Sequence, residues 1–122
     1  MAIQKLFRPV GLFELRLIRA ADYAILPHQP IFYPVLNAAY AEQIARDWNT
    51  TDEASGFMGA VTAFDVDAAY VARFEEHVVG ATIHRELWVP AENLDEFNRH
   101  IQGPIRVLRA FYGERYDQKR AW

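Results

Sequence analysis

Residues 31–48 read IFYPVLNAAYAEQIARDW, and a change of period inside them decides the fold. The first six are apolar, aromatic or β-branched apart from one proline, the make-up of an extended segment. Asn37 then offers a side-chain oxygen to a helix N-terminus. Beyond it Tyr40, Ala41, Ile44, Ala45 and Trp48 fall on one helical face, and Glu42, Gln43, Arg46 and Asp47 on the other. The spacing predicts a strand that runs into an amphipathic helix with those five apolar residues inward. Pro34 has no N–H for a ladder, so it belongs at an edge, a bulge or the end of pairing.

The same alternation continues in both directions. Residues 3–8 predict a strand stopped by Pro9, and 12–21 a helix with Leu12, Leu15 and Ile18 at helical spacing. Residues 49–56 read as a polar loop and 57–66 as a strand that gives way to a short helix ending near Phe74. Residues 82–89 predict the next strand. Pro90 opens a helix over 91–101 that Gly103 stops, and 104–112 form a last strand. Short strands mixed with short helices predict an α+β fold. A single domain over 1–113 is expected, with a mostly antiparallel or mixed sheet flanked by helices, and 114–122 as a C-terminal tail.

The chain has 122 residues, 13 basic and 16 acidic, and a formal net charge of −3. Its only lysines are Lys5 and Lys119, and its arginines are scattered. No nucleic acid partner is expected from that pattern. Cysteine is absent, which excludes disulfides, thiol catalysis and thiolate metal sites. No apolar run approaches the roughly 20 residues of a membrane span, and the N-terminus lacks a signal-peptide pattern. A soluble cytoplasmic protein without membrane attachment is expected.

Known motifs are missing. There is no HExxH, Walker or GxGxxG pattern. Asp47, Asn49 and Thr51 have calcium-loop spacing, but Asp52 stands where a glycine is needed and Met58 where a glutamate is needed. The four histidines lack ligand spacing, so no metal is expected. Ser55 has no nucleophile context, and His77 and His100 read as surface residues.

Side chains alternate across a strand, so His84, Glu86 and Trp88 share one face and Leu87 and Val89 the other. An imidazole, a carboxylate and an indole on one face suit a cleft wall; a wet outer face with Glu86 paired to an arginine suits them too. Arg8 suits a phosphate or carboxylate, or an ordinary ion pair. Tyr33 shares a face with Ile31 and Val35 and could stack on a flat ring or sit in the core with its hydroxyl outward. His28 and Gln29 ride on a loop stiffened by Pro27 and Pro30, a setting that suits a ligand contact or plain exposure.

Three stretches taken in order, LFRPVGLFELRLI (6–18), FYPVLNAAYAEQIARDWN (32–49) and HRELWVPAENLDEFNRHI (84–101), resemble a family of small bacterial proteins labelled "ADP-ribosylation/crystallin J1". The resemblance spans residue 5 to about residue 112 and rests also on LPHQPIFYPVLN (26–37) and ARDWNTTDEASGF (45–57). The layout is also similar to the ADP-ribosyltransferase fold. That similarity implies NAD as cofactor, with Arg8 and Tyr33 holding it. Glu86 would hydrogen-bond the nicotinamide ribose and stabilise the oxocarbenium-like state. Arg8 and Glu86 are the catalytic candidates of this mapping, with His84 two residues before the acid; Tyr33 is its binding candidate, and His28, Gln29 and Trp88 are binding candidates from their own sequence contexts. The departures are a missing Ser-Thr-Ser element, a histidine in place of Glu or Gln two residues before the acid, and a short chain. The glycohydrolase activity in the label needs a larger helical chain with clustered aspartates. Those departures and the aromatic content leave a second expectation: a non-catalytic binding or regulatory module with a small ligand, a protein partner or a second copy of itself.

Overall fold

The computed structural model describes residues 2–29, 31–80 and 84–122. In chain order the elements are β1 (Ile3–Val10), α1 (Leu12–Ala20), β2 (Ile31–Phe32), α2 (Ala38–Asp47), β3 (Met58–Asp67), α3 (Ala68–Val71), β4 (Glu76–Val78), β5 (Arg85–Leu87), β6 (Val89–Pro90), α4 (Leu94–Arg99) and β7 (Ile101–Tyr112). The fold is α+β, as the sequence predicts, and its sheets are antiparallel.

β3 is central, between β1 and β7. It is buried over most of its length because both faces are covered. α2 packs through Ala41 and Ala45, against Val35 and Val61. The larger core holds Phe32, Phe64 and Phe97, whose ring centroids lie 5.1–6.2 Å apart. Such tilted and edge-to-face contacts stabilise beyond area burial alone.

Val35 carries the sheet past β1. Its backbone bridges to Phe7 on one side and to Glu86 on the other. The bonds are Phe7 N–H to Val35 O (2.9 Å), Val35 N–H to Phe7 O (2.8 Å), Leu87 N–H to Pro34 O (2.9 Å) and Leu36 N–H to Arg85 O (3.0 Å). One extended stretch thus places the Glu86 strand two strand widths from Arg8.

Several predicted boundaries move. β1 does not stop at Pro9 but pairs through Val10. Backbone groups alternate sides along a strand, and Phe7 turns its N–H to Val35, so the N–H that Pro9 lacks falls on that same side, beyond the bridge, where no ladder is broken. The extended run 31–36 is regular only as β2, because Pro34 and the lone Val35 bridge interrupt it. β7 starts at Ile101 rather than at residue 104. Gly103, at φ +79°, and Pro104 are absorbed where the register to β3 shifts between Ala63 and Asp65, a bulge that suits both residues.

The strand predicted over 82–89 is regular over β5, is interrupted at Trp88 and resumes as β6; residues 82 and 83 lie outside the described residues. The helix predicted over 91–101 is a 3₁₀ turn, Ala91–Asn93, followed by α4. The helix expected after residue 66 is only α3, because β3 runs on to Asp67. β4 was not predicted, and residues 49–56 hold two 3₁₀ turns. Residues 114–122 fold back onto α1, where Arg16 donates to Ala121 O and Arg19 to Trp122 O. No helix among the described residues is long and apolar enough to cross a membrane.

Candidate functional site

Where the Val35 bridge ends, β1, α1, α2 and β5 surround a cleft of about 460 Å³. Its lining includes Arg8, Gly11 and Glu14 from the β1–α1 corner and Tyr33 and Val35 from the linking stretch. Ile44, Trp48, Asn49, Asp52 and Ser55 come from the end of α2 and the turns after it, and Glu86 from β5. Arg8, Tyr33 and Glu86, far apart in sequence, are therefore brought to one cleft.

Each is held by its own local physics. Arg8 Nε and Nη2 donate to Glu14 Oε2 and Oε1 at 2.6 and 2.8 Å. Glu14 lies in the first turn of α1, where a carboxylate suits the helix dipole. The two side chains are only 16% and 21% exposed, and the guanidinium lies 5.3 Å from the Phe32 ring centroid. The ion-pair alternative for Arg8 is thus the observed state. Tyr33 is 38% exposed while Val35 is buried. The ring meets Trp88 edge-on at 6.1 Å.

Glu86 accepts from Trp88 Nε1 at 3.0 Å, and its charge bears on the Tyr40 hydroxyl. Burial first, then the charge and hydrogen bond of Glu86, push the Tyr40 hydroxyl above its ordinary pKa of 10. Trp88 is stacked on His77 at 3.7 Å, so His77 is not the unpartnered surface residue its sequence context suggests. His100 likewise stacks on Tyr70 at 3.8 Å.

His84 is not among the lining residues. Its ring stacks on Tyr40 at 4.5 Å, its Nδ1 lies 3.1 Å from Val79 O and its Nε2 2.7 Å from the Gln43 side chain. It stands behind the Tyr40–Glu86 pair. His28 is exposed, and Gln29 donates to Pro27 O at 3.1 Å; neither lines the cleft. Trp88 reaches it only by contact with Tyr33 and Glu86.

Sequence reasoning missed Glu14, Tyr40, Trp48, Asn49, Asp52 and Ser55. The periodicity puts Trp48 on the buried face of α2, yet it is 58% exposed; the small Ala41 and Ala45 make the packing contact. The stretch after it is more than a polar loop. Ser55 Oγ donates to Asp52 Oδ2 at 2.6 Å and accepts from Asn49 Nδ2 at 2.9 Å. Asn49 is 4% exposed, and its Oδ1 has no partner among the described residues. The usable signal was the triplet Asn49, Asp52, Ser55 at spacing three, which brings polar groups together in consecutive 3₁₀ turns.

The charge balance of the lining is three carboxylates, Glu14, Asp52 and Glu86, against the single cation Arg8, already bound by Glu14. The cleft is rich in hydrogen-bond acceptors and rimmed by two half-exposed aromatic rings. No group of three or more His, Asp or Glu side chains able to hold a metal ion occurs among the described residues. Comparison of the chain with protein-family models, curated proteins and solved structures finds no match.

Proposed function

We propose that the protein binds a nicotinamide-type nucleotide in the Arg8–Tyr33–Glu86 cleft, as an ADP-ribosyltransferase-like protein. The observation that supports this reading is that three residues from separate stretches line one cleft. Tyr33 offers a ring face at the rim. Glu86, oriented by Trp88, offers an acceptor to a ribose hydroxyl and a negative charge to an oxocarbenium-like centre. Calorimetric titration with NAD tests it. Heat of binding that disappears in Glu86→Ala is expected. No heat from the wild type at millimolar NAD, or an unchanged titration of the variant, overturns it.

A second reading, a non-catalytic ligand-binding module, is favoured by one observation. The two-pronged pair with Glu14 occupies Arg8, the only cation in the lining and the group that would hold the pyrophosphate. Nicotinamide release from NAD separates the two readings. Release that is lost in Glu86→Gln supports catalysis, whereas binding without release supports the module.

A further inference from the structure

We propose that the cleft selects a flat aromatic cation that carries a hydrogen-bond donor. Three independent features point there. Asp52 and Glu86 face the cleft with no cationic partner among the described residues, since its one arginine is bound to Glu14. Tyr33 and Trp48 present half-exposed rings at its rim, and aromatic faces attract cations. Asn49 lines the cleft while 4% exposed, with an orphaned Oδ1. A buried acceptor without a partner is unfavourable unless a donor reaches it. Positive charge would answer the carboxylates, the flat ring the aromatic rim, and an N–H group the Asn49 oxygen.

This inference rests on the same cleft as the reading above and narrows its ligand chemistry, because it asks for a charged ring and needs no phosphate. The probes are 1-methylnicotinamide, a flat cation with a carboxamide N–H, and nicotinamide, its uncharged counterpart. The indole N–H resonance of Trp48 is followed by NMR, with that of Trp122, which lies outside the cleft, as the internal control. Trp48 is expected to shift with 1-methylnicotinamide at least about tenfold more tightly than with nicotinamide. The preference is expected to fade in high salt and in Asp52→Asn, which keeps an acceptor for the Ser55 hydroxyl. Equal affinity for the two probes, or no shift with either, overturns the proposal whether or not the variant folds. Binding of the cation without binding of NAD supports it while overturning the nucleotide reading. Equal binding of NAD and NADH, whose nicotinamide ring is uncharged, overturns it while leaving the nucleotide reading intact.

Discussion

Val35 lies between Phe7 and Glu86, and its backbone bridges on both sides set the carboxylate strand two strand widths from the Arg8 strand. The stretch around it is irregular, broken by Pro34 and short of partners. Its hold therefore rests on a few backbone bonds and on the Val35 side chain, which is 1% exposed and packed with Ala41, Ala45 and Val61. The link between β1 and β5 at the cleft runs through this one residue.

Val35→Ala keeps the backbone bonds and removes two buried methyl groups. A loss of about 2 kcal/mol is expected from transfer and cavity terms together, read as a lower urea midpoint at unchanged slope. A midpoint equal to that of the wild type would show that the linking stretch is not packed into the sheet.

The Arg8–Glu14 pair should behave as a partly buried, mutually dependent unit. Removing either partner strands a charge that is mostly out of water, whereas removing both does not. A double-mutant cycle with Arg8→Met and Glu14→Gln is expected to give a coupling of about 1–3 kcal/mol. Coupling near zero would mean the pair is open to solvent. Glu14→Gln should also free the guanidinium for anions, so inorganic phosphate should stabilise this variant more than the wild type.

The fold was legible wherever a local pattern carries it. Asn37 reads as a cap and is one, accepting from Tyr40 N–H at 2.7 Å; β3 reads as a strand from its run of strand formers. Pro9 misled, because which side of a strand lacks a neighbour is a matter of topology, and only the placement of Val35 makes it harmless; Pro34 did interrupt its strand as expected. The site was legible in part. Arg8, Tyr33 and Glu86 stood out by residue type and order. Glu14, Tyr40 and the Asn49–Asp52–Ser55 set did not, because their significance comes from contacts across the chain or from turn geometry that has no hydrophobic period. Trp48 was misplaced because a helical wheel gives direction around the axis but not which apolar residues make the contact: the small Ala41 and Ala45 pack, and the large indole stays exposed.

Gly11 marks a close approach of backbone to backbone. A Cβ there would stand 2.6 Å from Ser55 Cα and 2.9 Å from Ser55 Oγ. Gly11→Ala must push the Ser55 turn away from the β1–α1 corner. An overpacking loss of about 1–3 kcal/mol is expected, with shifted amide resonances at Asn49, Asp52 and Ser55. A silent substitution would show that the two segments are farther apart than the structure places them.

Tyr40 reports on the geometry of Glu86 without any ligand. Its hydroxyl is held above pKa 10 by burial, and by the charge and hydrogen bond of Glu86. The neutral phenol is the form the fold prefers, so the associated stability is complete below the unfolded value of about 10 and is lost as pH rises through the higher folded value. In ultraviolet absorbance titration, Tyr40 should ionise late, above the exposed tyrosines, together with Tyr70, whose hydroxyl burial and Glu96 also push up, and Tyr40→Phe should remove one tyrosine from that late component. Glu86→Gln removes the negative charge and leaves the burial, so the Tyr40 part of the late component should move toward lower pH without merging fully with the rest. An unchanged titration in Glu86→Gln would break the electrostatic link between the two residues, and with it the placement of the carboxylate close to the Tyr40 hydroxyl.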